Sequence, residues 1–398
     1  MEKLFNIDIE SLKKNSAYYT AKEINQQPRL WLETVSILKK KRNEIETYIQ
    51  GKKQDAGVRI ILTGAGTSAY VGDVAASYLA KKLNLRVESI PTTDIVSSPE
   101  DYLQADVPTI LVSFARSGNS PESLATYNLA EQIVNDLSQI VITCNEEGQL
   151  GKQCSKNNKN LLLLMPKESN DISFAMTSSF TCMLLTSLFI FDMENFDNNI
   201  KTIETVSKRG EVILDTKIEE ILELVKLGYK RVVYLGSSSL SGLSNEATLK
   251  ILELTSGKVC AISESTMGFR HGPKSITNDE TLVLVFVSSD EYTRKYDLDI
   301  IKEIYNDQGT QKVVSISQAA EENLKNISYK NLSTENQGII LDDAYSALDY
   351  ILYAQLFALF YSLELGITPD NPRPDGTVNR VVEGVTIYQY VKLINSGR

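Results

Sequence analysis

The chain carries the stretch RIILTG at residues 59–64, a short apolar run that ends in glycine. A run of the same kind, RVVYLG, occupies residues 231–236, which is 172 residues later. Three further runs rich in β-branched residues recur at the same offset: residues 86–90 and 258–262, 109–114 and 281–286, and 140–143 and 312–315. Stretches of helical length separate these runs. Apolar strands that alternate with helices are typical of a parallel sheet covered on both faces, so the sequence predicts a duplicated α/β domain.

The predicted map of the chain has four main parts. Residues 1–54 form a helical N-terminal segment, residues 55–205 the first α/β domain, and residues 228–365 the second, with a helical connector between the two domains. A long helix closes the second domain. Residues 366–398 form a tail whose prolines exclude a helix, so we expect it to be extended.

Composition narrows the classes of function. The net charge of −10 and the lack of a basic run argue against nucleic acid or a membrane surface as a partner. The most apolar stretch, Phe180 to Phe191, is shorter than the roughly 20 residues of a membrane span, and the N-terminus lacks the pattern of a signal peptide. The cysteines have neither disulfide-like nor metal-ligand spacing: Cys144, Cys154, Cys182 and Cys260. We therefore expect a cytoplasmic protein with buried free thiols and no metal site.

The two copies differ where their third strand ends, and ligands of open α/β sheets bind beyond the carboxyl ends of the strands. In copy one the loop Ala115–Ser123 offers hydroxyl groups, free N–H groups and a helix that starts at Pro121, which together suit a phosphate. The matching loop of copy two, Ser288–Thr293, carries two carboxylates that would repel a phosphate. Ordinary helix capping by Ser120 is the alternative, and the contrast between the copies favours phosphate binding in copy one.

The turn after the first strand, residues 64–69, is also rich in glycine. It resembles a dinucleotide-binding turn only loosely, because position 69 is alanine. We expect Gly66, Thr67 and Ser68 to contact a sugar. The alternative role of the two hydroxyl groups is to cap the helix that follows.

Copy two contains the groups that proton chemistry requires. Glu246, Lys250 and Glu253 are spaced to share one face of a helix. The only histidine of the chain, His271, follows in a loop flanked by glycines and a proline. A carboxylate base near an imidazole suits proton transfer next to a carbonyl group. A solvated ladder of ion pairs and a purely structural histidine loop are the alternatives.

These motifs resemble those of proteins with a double sugar-isomerase (SIS) domain. The resemblance rests on the duplicated sheet, the glycine-rich turn, the loop after the third strand, KILE at residues 250–253 and HGP at residues 271–273. Within that family, residues 264–274 and the tail motif at residues 376–387 are most similar to the galactosamine-6-phosphate deaminase/isomerase branch, formerly called tagatose-6-phosphate ketose/aldose isomerase. The resemblance implies two tandem SIS domains, each a parallel sheet between helices in a flavodoxin-like three-layer fold.

The resemblance also implies roles for individual residues. Glu253 would move a proton between C2 and C1 of the sugar, and His271 would open the sugar ring. In glucosamine-6-phosphate synthases the histidine reaches into the site of the partner subunit, which implies a homodimer or a higher homo-oligomer here. The implied substrate-binding residues are Gly66, Thr67, Ser68, Arg116, Ser117, Asn119, Ser120 and Lys250.

The phosphate loop departs from the family form Ser-Gln-Ser-Gly-Glu-Thr, because Ala115 and Arg116 replace its first serine and its glutamine. Ser117, Asn119 and Ser120 would hold the phosphate. Arg116 could pair with it as a fixed cation. For Lys250 two roles stay open, since it could stabilise the intermediate electrostatically or form an ion pair within its helix.

The implied reaction converts D-galactosamine 6-phosphate and water to D-tagatose 6-phosphate and ammonia, without a metal or an organic cofactor. Relatives that synthesise amino sugars use a glutaminase domain with an N-terminal cysteine, whereas the first cysteine here is Cys144, so we expect loss of ammonia. The expected partner is a small-molecule sugar phosphate. Three alternatives stay open: a glucosamine-6-phosphate deaminase of the SIS type, a tagatose-6-phosphate ketose/aldose isomerase, and a non-catalytic sugar-phosphate sensor.

Overall fold

The computed structural model of the chain describes residues 2–53, 57–307, 309, 311–334, 339–382 and 384–391. The predicted boundary between residues 54 and 55 and the end of the predicted tail, residues 392–398, lie outside the described residues. The N-terminal segment is helical, as predicted, after a short antiparallel pair of strands. Its elements are β1 (Lys3–Leu4), β2 (Ile7–Asp8), α1 (Ile9–Lys14), α2 (Tyr18–Asn25), α3 (Gln27–Lys40) and α4 (Arg42–Lys53).

The first α/β domain alternates strands and helices. Its elements are β3 (Arg59–Thr63), α5 (Thr67–Leu83), β4 (Arg86–Ser89), α6 (Thr92–Ser97), α7 (Pro99–Tyr102), β5 (Thr109–Ala115), α8 (Pro121–Ile133), β6 (Leu137–Thr143), α9 (Gln149–Ser155), β7 (Leu161–Leu164), a 3₁₀ turn (Lys167–Ser169) and α10 (Ser178–Ile190). The strands form one parallel sheet in the order β4-β3-β5-β6-β7. This is the flavodoxin-type strand order.

The second α/β domain repeats this arrangement after a helical connector. Its elements, with the connector first, are a 3₁₀ turn (Met193–Asn195), α11 (Phe196–Thr216), α12 (Ile218–Val225), β8 (Arg231–Gly236), α13 (Ser239–Leu254), β9 (Cys260–Ser265), two 3₁₀ turns (Gly268–Arg270 and Pro273–Ile276), β10 (Thr281–Phe286), α14 (Glu291–Asn306), β11 (Lys312–Ser317), α15 (Glu322–Ile327), β12 (Lys330–Ser333) and α16 (Asp343–Glu364). The parallel strand order is β9-β8-β10-β11-β12. The boundary that we expected at residue 205 falls inside α11, which continues through it.

The duplication extends to details of the backbone. The four predicted strand pairs are confirmed, although β9 lies about two residues further along the chain than expected. An added Cβ at Gly64 or at Gly236 would lie within 2.5 Å of the helix that follows, so both first turns need glycine for close helix packing. Gly66 and its counterpart Ser238 both have positive φ, 55° and 54°.

The sequence does not predict β7 and β12, because both are short edge strands that fall outside the constant offset.

Helices α5 and α13 join the two domains at close range. An added Cβ at Gly242 would lie 2.5 Å from the carbonyl carbon of Asp73, so glycine permits the approach. Nδ2 of Asn245 donates a hydrogen bond to Oδ2 of Asp73 at 3.1 Å. These two residues are 172 positions apart, the offset of the repeat, so equivalent positions of the two domains meet at this crossing.

Helix α16 forms the centre of the core and packs against α11, α12 and α13. By length and composition it is the one helix among the described residues that could cross a membrane. However, 94% of its apolar window is buried within the fold. A helix that is apolar on all sides and buried in this way serves as a core helix of a globular protein.

Candidate active site

A cavity of about 110 Å³ lies beyond the carboxyl ends of β3 and β5, where the sequence predicts phosphate binding. The glycine-rich turn and the loop after β5 supply most of its wall. Its polar side chains belong to Ser68, Arg116, Ser117, Ser120, Ser123 and Arg380. A larger cavity of about 690 Å³ between α8 and residues 386–390 of the tail is not lined by any predicted site residue. The smaller cavity is therefore the candidate active site.

The loop after β5 lines the cavity and is held by hydrogen bonds to its carbonyl oxygens. Gly118 has a φ of +64°. The carbonyl oxygen of Ser117 accepts from Nδ2 of Asn145 at 2.8 Å, and that of Gly118 accepts from the N–H of Leu150 at 2.9 Å. Within the described residues, the N–H groups of Ser117, Gly118 and Ser120 have no acceptor in the protein. A row of free N–H groups in a tight turn is a nest for an anion.

Two predicted phosphate ligands have different surroundings. Ser120 occupies the position before α8, but its side chain does not cap the helix. Its Oγ lies 2.7 Å from Oγ of Ser123, and both hydroxyl groups line the cavity. Asn119 is exposed, and its Oδ1 accepts from the N–H of Gln149 at the start of α9. The structure thus brings Ser117 and Ser120 to the cavity and directs the side chain of Asn119 to a neighbouring helix.

Two arginines lie together at the cavity. The side chain of Arg116 is buried, and it donates to the carbonyl oxygens of Phe174 at 3.4 Å and Arg380 at 2.8 Å. The guanidinium of Arg380 donates to the carbonyl oxygen of Asp171. Burial, and next the charge of Arg380, lower the pKa of Arg116. Sequence reasoning missed the role of Arg380, although the residue belongs to the tail motif that carries the family resemblance.

In copy two the protein itself fills the equivalent nest with a carboxylate. Oδ1 of Asp343 accepts from the N–H of Ser289 at 2.7 Å and from its Oγ at 2.8 Å. Oδ2 of Asp343 accepts from Oγ of Ser288. Asp290 caps α14 by accepting from the N–H of Thr293. In copy two an internal carboxylate therefore already accepts from the N–H and hydroxyl groups of this loop.

The predicted face of α13 is buried at the junction of the two domains. Nζ of Lys250 lies 2.6 Å from Oε2 of Glu253 and 3.3 Å from Oε1 of Glu246. It also donates to Oγ1 of Thr67 at 3.0 Å and to the carbonyl oxygen of Met176 at 3.2 Å. The side chains of Lys250 and Glu246 are 0% exposed and that of Glu253 is 23% exposed. The alternative of a solvated ion-pair ladder is therefore wrong.

The glycine-rich turn reaches this face from the first domain. Gly66 occupies the position before α5, and no side chain caps the helix there. Thr67 instead accepts from Lys250, and Ser68 lines the cavity. Helix capping by the two hydroxyl groups, the alternative role, is not realised.

Burial and neighbouring charges shift the pKa values of Glu246 and Lys250. Burial raises the pKa of Glu246 to about 8, the charge of Glu253 raises it further, and Lys250 opposes both. Burial alone would lower the pKa of Lys250, but Glu246 and Glu253 outweigh it, so that pKa is raised. Near neutral pH burial therefore favours the protonated form of Glu246, and its acidic neighbours favour the charged form of Lys250.

The histidine loop lies apart from this cluster. His271 is exposed, and its side chain has no hydrogen-bond partner among the described residues. The loop around it is fixed to α14, since Nε of Arg270 and Nζ of Lys274 each lie 2.6 Å from the carboxylate of Glu303. His271 does not line the phosphate cavity. Among the described residues, no hydrogen bond or ion pair joins His271 to Glu253.

The expectation that all four cysteines are buried needs one correction. Cys144, Cys154 and Cys182 are buried, as expected, but Cys260 is exposed, because it begins an edge strand. Within the described residues, no group of three or more histidine, cysteine, aspartate or glutamate side chains could hold a metal ion.

Comparisons with known proteins agree with the fold. The family model of the SIS domain matches residues 54–192. The D-galactosamine-6-phosphate deaminase AgaS of Shewanella sp. strain ANA-3 is 43% identical over 97% of this chain and 96% of its own length. A solved Clostridium novyi structure, described as a candidate tagatose-6-phosphate ketose/aldose isomerase, is 46% identical with a TM-score of 0.96, covering 98% of this chain and all of that one. The tagatose-6-phosphate ketose/aldose isomerase structure from Escherichia coli is 40% identical with a TM-score of 0.86, covering 94% of this chain and 97% of that one.

The tandem parallel sheets and the site between them define an enzyme built from two SIS domains. Identity over nearly the whole chain narrows the assignment further. The chain belongs to the family of the D-galactosamine-6-phosphate deaminases.

Proposed function

We propose that this enzyme converts D-galactosamine 6-phosphate and water to D-tagatose 6-phosphate and ammonia. The observation that carries the proposal is the position of Lys250, whose ammonium contacts Glu253 in the second domain and Thr67 in the first. The substrate comes from the relatives, since the Shewanella protein is named a D-galactosamine-6-phosphate deaminase.

The phosphate cavity and the proposed base are linked by a short path. Met176 lines the cavity, and its carbonyl oxygen accepts from Nζ of Lys250. That same nitrogen holds the carboxylate of Glu253. A sugar whose phosphate occupies the nest can therefore extend toward Glu253, the one member of the α13 cluster whose side chain is partly exposed. Holding the substrate in this geometry removes much of the entropic cost of proton transfer.

The proposed chemistry needs one acid and one base. The ring opens when the proton of the C1 hydroxyl is lost and the ring oxygen gains a proton, which gives the open-chain amino aldose. Glu253 removes the proton from C2 while the carbonyl oxygen at C1 gains a proton, so a C1–C2 double bond forms and the intermediate is an enaminol that keeps the amino group at C2. A proton returns to C1, which leaves an imine at C2. Water then adds to C2, ammonia leaves, and the ketose phosphate remains.

Lys250 supports these steps from its position on α13. Its charge lies beside the carboxylate that takes the proton, so it orients Glu253 and favours the negative charge that develops on the intermediate. The ion pair and the electrostatic role, which the sequence left as alternatives, are therefore compatible. Asn119 and Gly66 remain in the proposed binding set, at the rim of the turn and loop that hold the phosphate.

We propose that His271 opens the ring in the site of a second subunit. Its exposed side chain on a loop fixed to α14 supports this, because the loop can present the imidazole outward without rearrangement. The proposed state is accordingly a homodimer or a higher homo-oligomer. We also propose a cytoplasmic location with neither nucleic acid nor membrane as a partner, in keeping with the net charge of −10.

The decisive experiment is an assay of ammonia release. The substrates are galactosamine 6-phosphate, glucosamine 6-phosphate and their N-acetyl forms, each tested with the wild type and with Glu253→Gln. We expect release from galactosamine 6-phosphate by the wild type only. Preference for glucosamine 6-phosphate would identify the other epimer as the substrate. Binding of all four sugars without release would identify a sensor and contradict the proposal.

A further inference from the structure

We infer that Arg380, in the C-terminal tail, binds the substrate phosphate together with Arg116, so that the tail closes over the sugar-phosphate site when the phosphate is bound. The inference deepens the proposed function and depends on it only for the identity of the sugar. It assigns a residue and a segment that lie outside both sheets to the binding of a phosphate monoester.

The charge of the cavity is the first support. Two arginines line it, and none of its lining residues is acidic. In the described part of the chain, neither guanidinium lies within 4.0 Å of a carboxylate oxygen. A buried cation that lacks a counter-ion is costly, and a bound anion removes that cost.

An unused donor on Arg116 is the second support. The side chain of Arg116 is 6% exposed, and its buried Nε has no hydrogen-bond partner. The two NH groups of the same guanidinium donate to backbone oxygens of Phe174 and Arg380. Arg116, which lines the cavity, thus keeps one unpaired donor while it holds the tail by the carbonyl oxygen of Arg380. Guanidinium groups suit phosphate, because their N–H groups match its oxygens in pairs.

The second copy of the domain supplies the comparison. There the hydroxyl groups of Ser288 and Ser289 hold the carboxylate of Asp343, so the protein provides its own anion. Among the described residues of the chain, no carboxylate lines the cavity at the matching loop of the first copy, and Arg116 and Arg380 lie there instead. The difference indicates that the anion of the first copy comes from outside, and that the tail provides part of its binding site.

The course of the tail explains how it could close. One end is anchored where Asp370 accepts from the N–H and Oγ1 of Thr20 at 2.8 and 2.7 Å. The other end is anchored where the hydroxyl group of Tyr390 donates to Glu100 at 2.6 Å. Between these anchors Arg380 lies at the cavity, and Arg373 donates to Oγ of Ser256. Val378 and Val382 on either side of Arg380 are 51% and 53% exposed.

Binding of inorganic phosphate tests the inference without any assumption about the sugar. We compare Arg380→Met, Arg380→Lys and Arg373→Met with the wild type by isothermal titration calorimetry. Arg373 is the matched control, since it is also a tail arginine but bonds to Thr377 and to Ser256 at the end of α13. Loss of one charged contact should raise the Kd of Arg380→Met about 10- to 100-fold. Arg380→Lys should fall between it and the wild type, and Arg373→Met should match the wild type.

Hydrogen exchange of the tail gives the second readout. In the wild type, phosphate should slow amide exchange across residues 376–382, and Arg380→Met should lose this protection even at saturating phosphate. A wild-type Kd together with unchanged protection in both Arg380 variants would overturn the inference. The proposed function has a separate outcome. If the wild type releases no ammonia but phosphate binding depends on Arg380, the deaminase proposal fails and the inference stands.

Discussion

Nζ of Lys250 lies 2.6 Å from Oε2 of Glu253, one turn further along α13. The lysine side chain is 0% exposed and the glutamate side chain is 23% exposed, so the ion pair has a buried side and an accessible side. A carboxylate held in this way has a fixed orientation and can still meet a substrate. The relationship makes Glu253 the base of the proposed reaction and Lys250 its positioning partner.

The first prediction concerns that base. Glu253→Gln keeps the size of the side chain but cannot accept the C2 proton, so turnover should fall about 100-fold or more. Ammonia release measured with galactosamine 6-phosphate checks the loss of rate. Phosphate binding by calorimetry is the control and should match the wild type, because the nest lies in the other domain. Exchange of the C2 proton at the wild-type rate in this variant would remove Glu253 from the mechanism.

A second prediction uses the difference between the two nests. Ser117→Ala with Ser120→Ala should raise KM at least about 10-fold, since hydrogen bonds to a charged group are worth about 1.5–3 kcal/mol. Ser288→Ala with Ser289→Ala should leave KM unchanged but lower the free energy of unfolding, because the partly buried carboxylate of Asp343 loses two hydroxyl partners. Steady-state kinetics and urea unfolding measure both effects. Equal rises of KM from the two pairs would show that both loops bind phosphate.

The third prediction concerns pH and stability. The pKa of Glu246 is raised to about 8 by burial, so between about pH 5 and pH 8 the folded protein binds one proton more than the unfolded chain at this residue. The contribution of Glu246 to the free energy of unfolding therefore decreases as the pH rises from about 5 to about 8. Glu246→Gln resembles the protonated form and should remove up to about 1.4 kcal/mol per pH unit from the slope.

Urea unfolding at several pH values between about 5 and 8 measures this slope. The exposed Glu219→Gln on α12 is the matched control and should leave it unchanged. An identical slope in the wild type and in Glu246→Gln would show that Glu246 is ionised in the folded protein. In that case the cluster around Lys250 would carry a net negative charge.

A fourth prediction tests the exposed histidine. Homodimers of Glu253→Gln and of His271→Ala should each have little activity. If His271 serves the partner's site, each mixed dimer has one site with both residues intact. Random pairing makes half of the dimers mixed, so roughly a quarter of wild-type activity should return. Native mass spectrometry must show mixed dimers, and their presence without recovered activity would place His271 in the site of its own chain.

Local sequence patterns predicted much of the fold. The repeat at a constant offset gave four strands in each domain, because buried parallel strands are continuous apolar runs that stand out from the helices around them. The last strand of each sheet was missed because these two strands do not follow the constant offset of the repeat. Lys330–Ser333 is also short, mostly polar and at a sheet edge, so its composition does not differ from that of a loop.

The site was predictable in its parts and not in its assembly. Serine and glycine in the loop after β5 indicated a phosphate, the hydroxyl groups of the glycine-rich turn indicated a sugar, and helical spacing placed Glu253 near Lys250. The bond from Arg116 to Arg380 spans 264 residues, and the bond from Lys250 to Thr67 spans 183. Such contacts depend on how the two domains and the tail pack together, and no local pattern encodes that packing.

The most direct test of the central claim, deamination by proton transfer at a site shared by two SIS domains, uses galactosamine 6-phosphate deuterated at C2. Ammonia and tagatose 6-phosphate are measured in the same sample, and the product is examined by NMR at C1. The account predicts equal amounts of both products, slower release than with the unlabelled sugar, and a new hydrogen at C1 that comes from C2 or from solvent. Ammonia released at the same rate from both sugars would show that removal of the C2 proton does not limit the reaction, and a product that keeps its nitrogen would contradict the account outright.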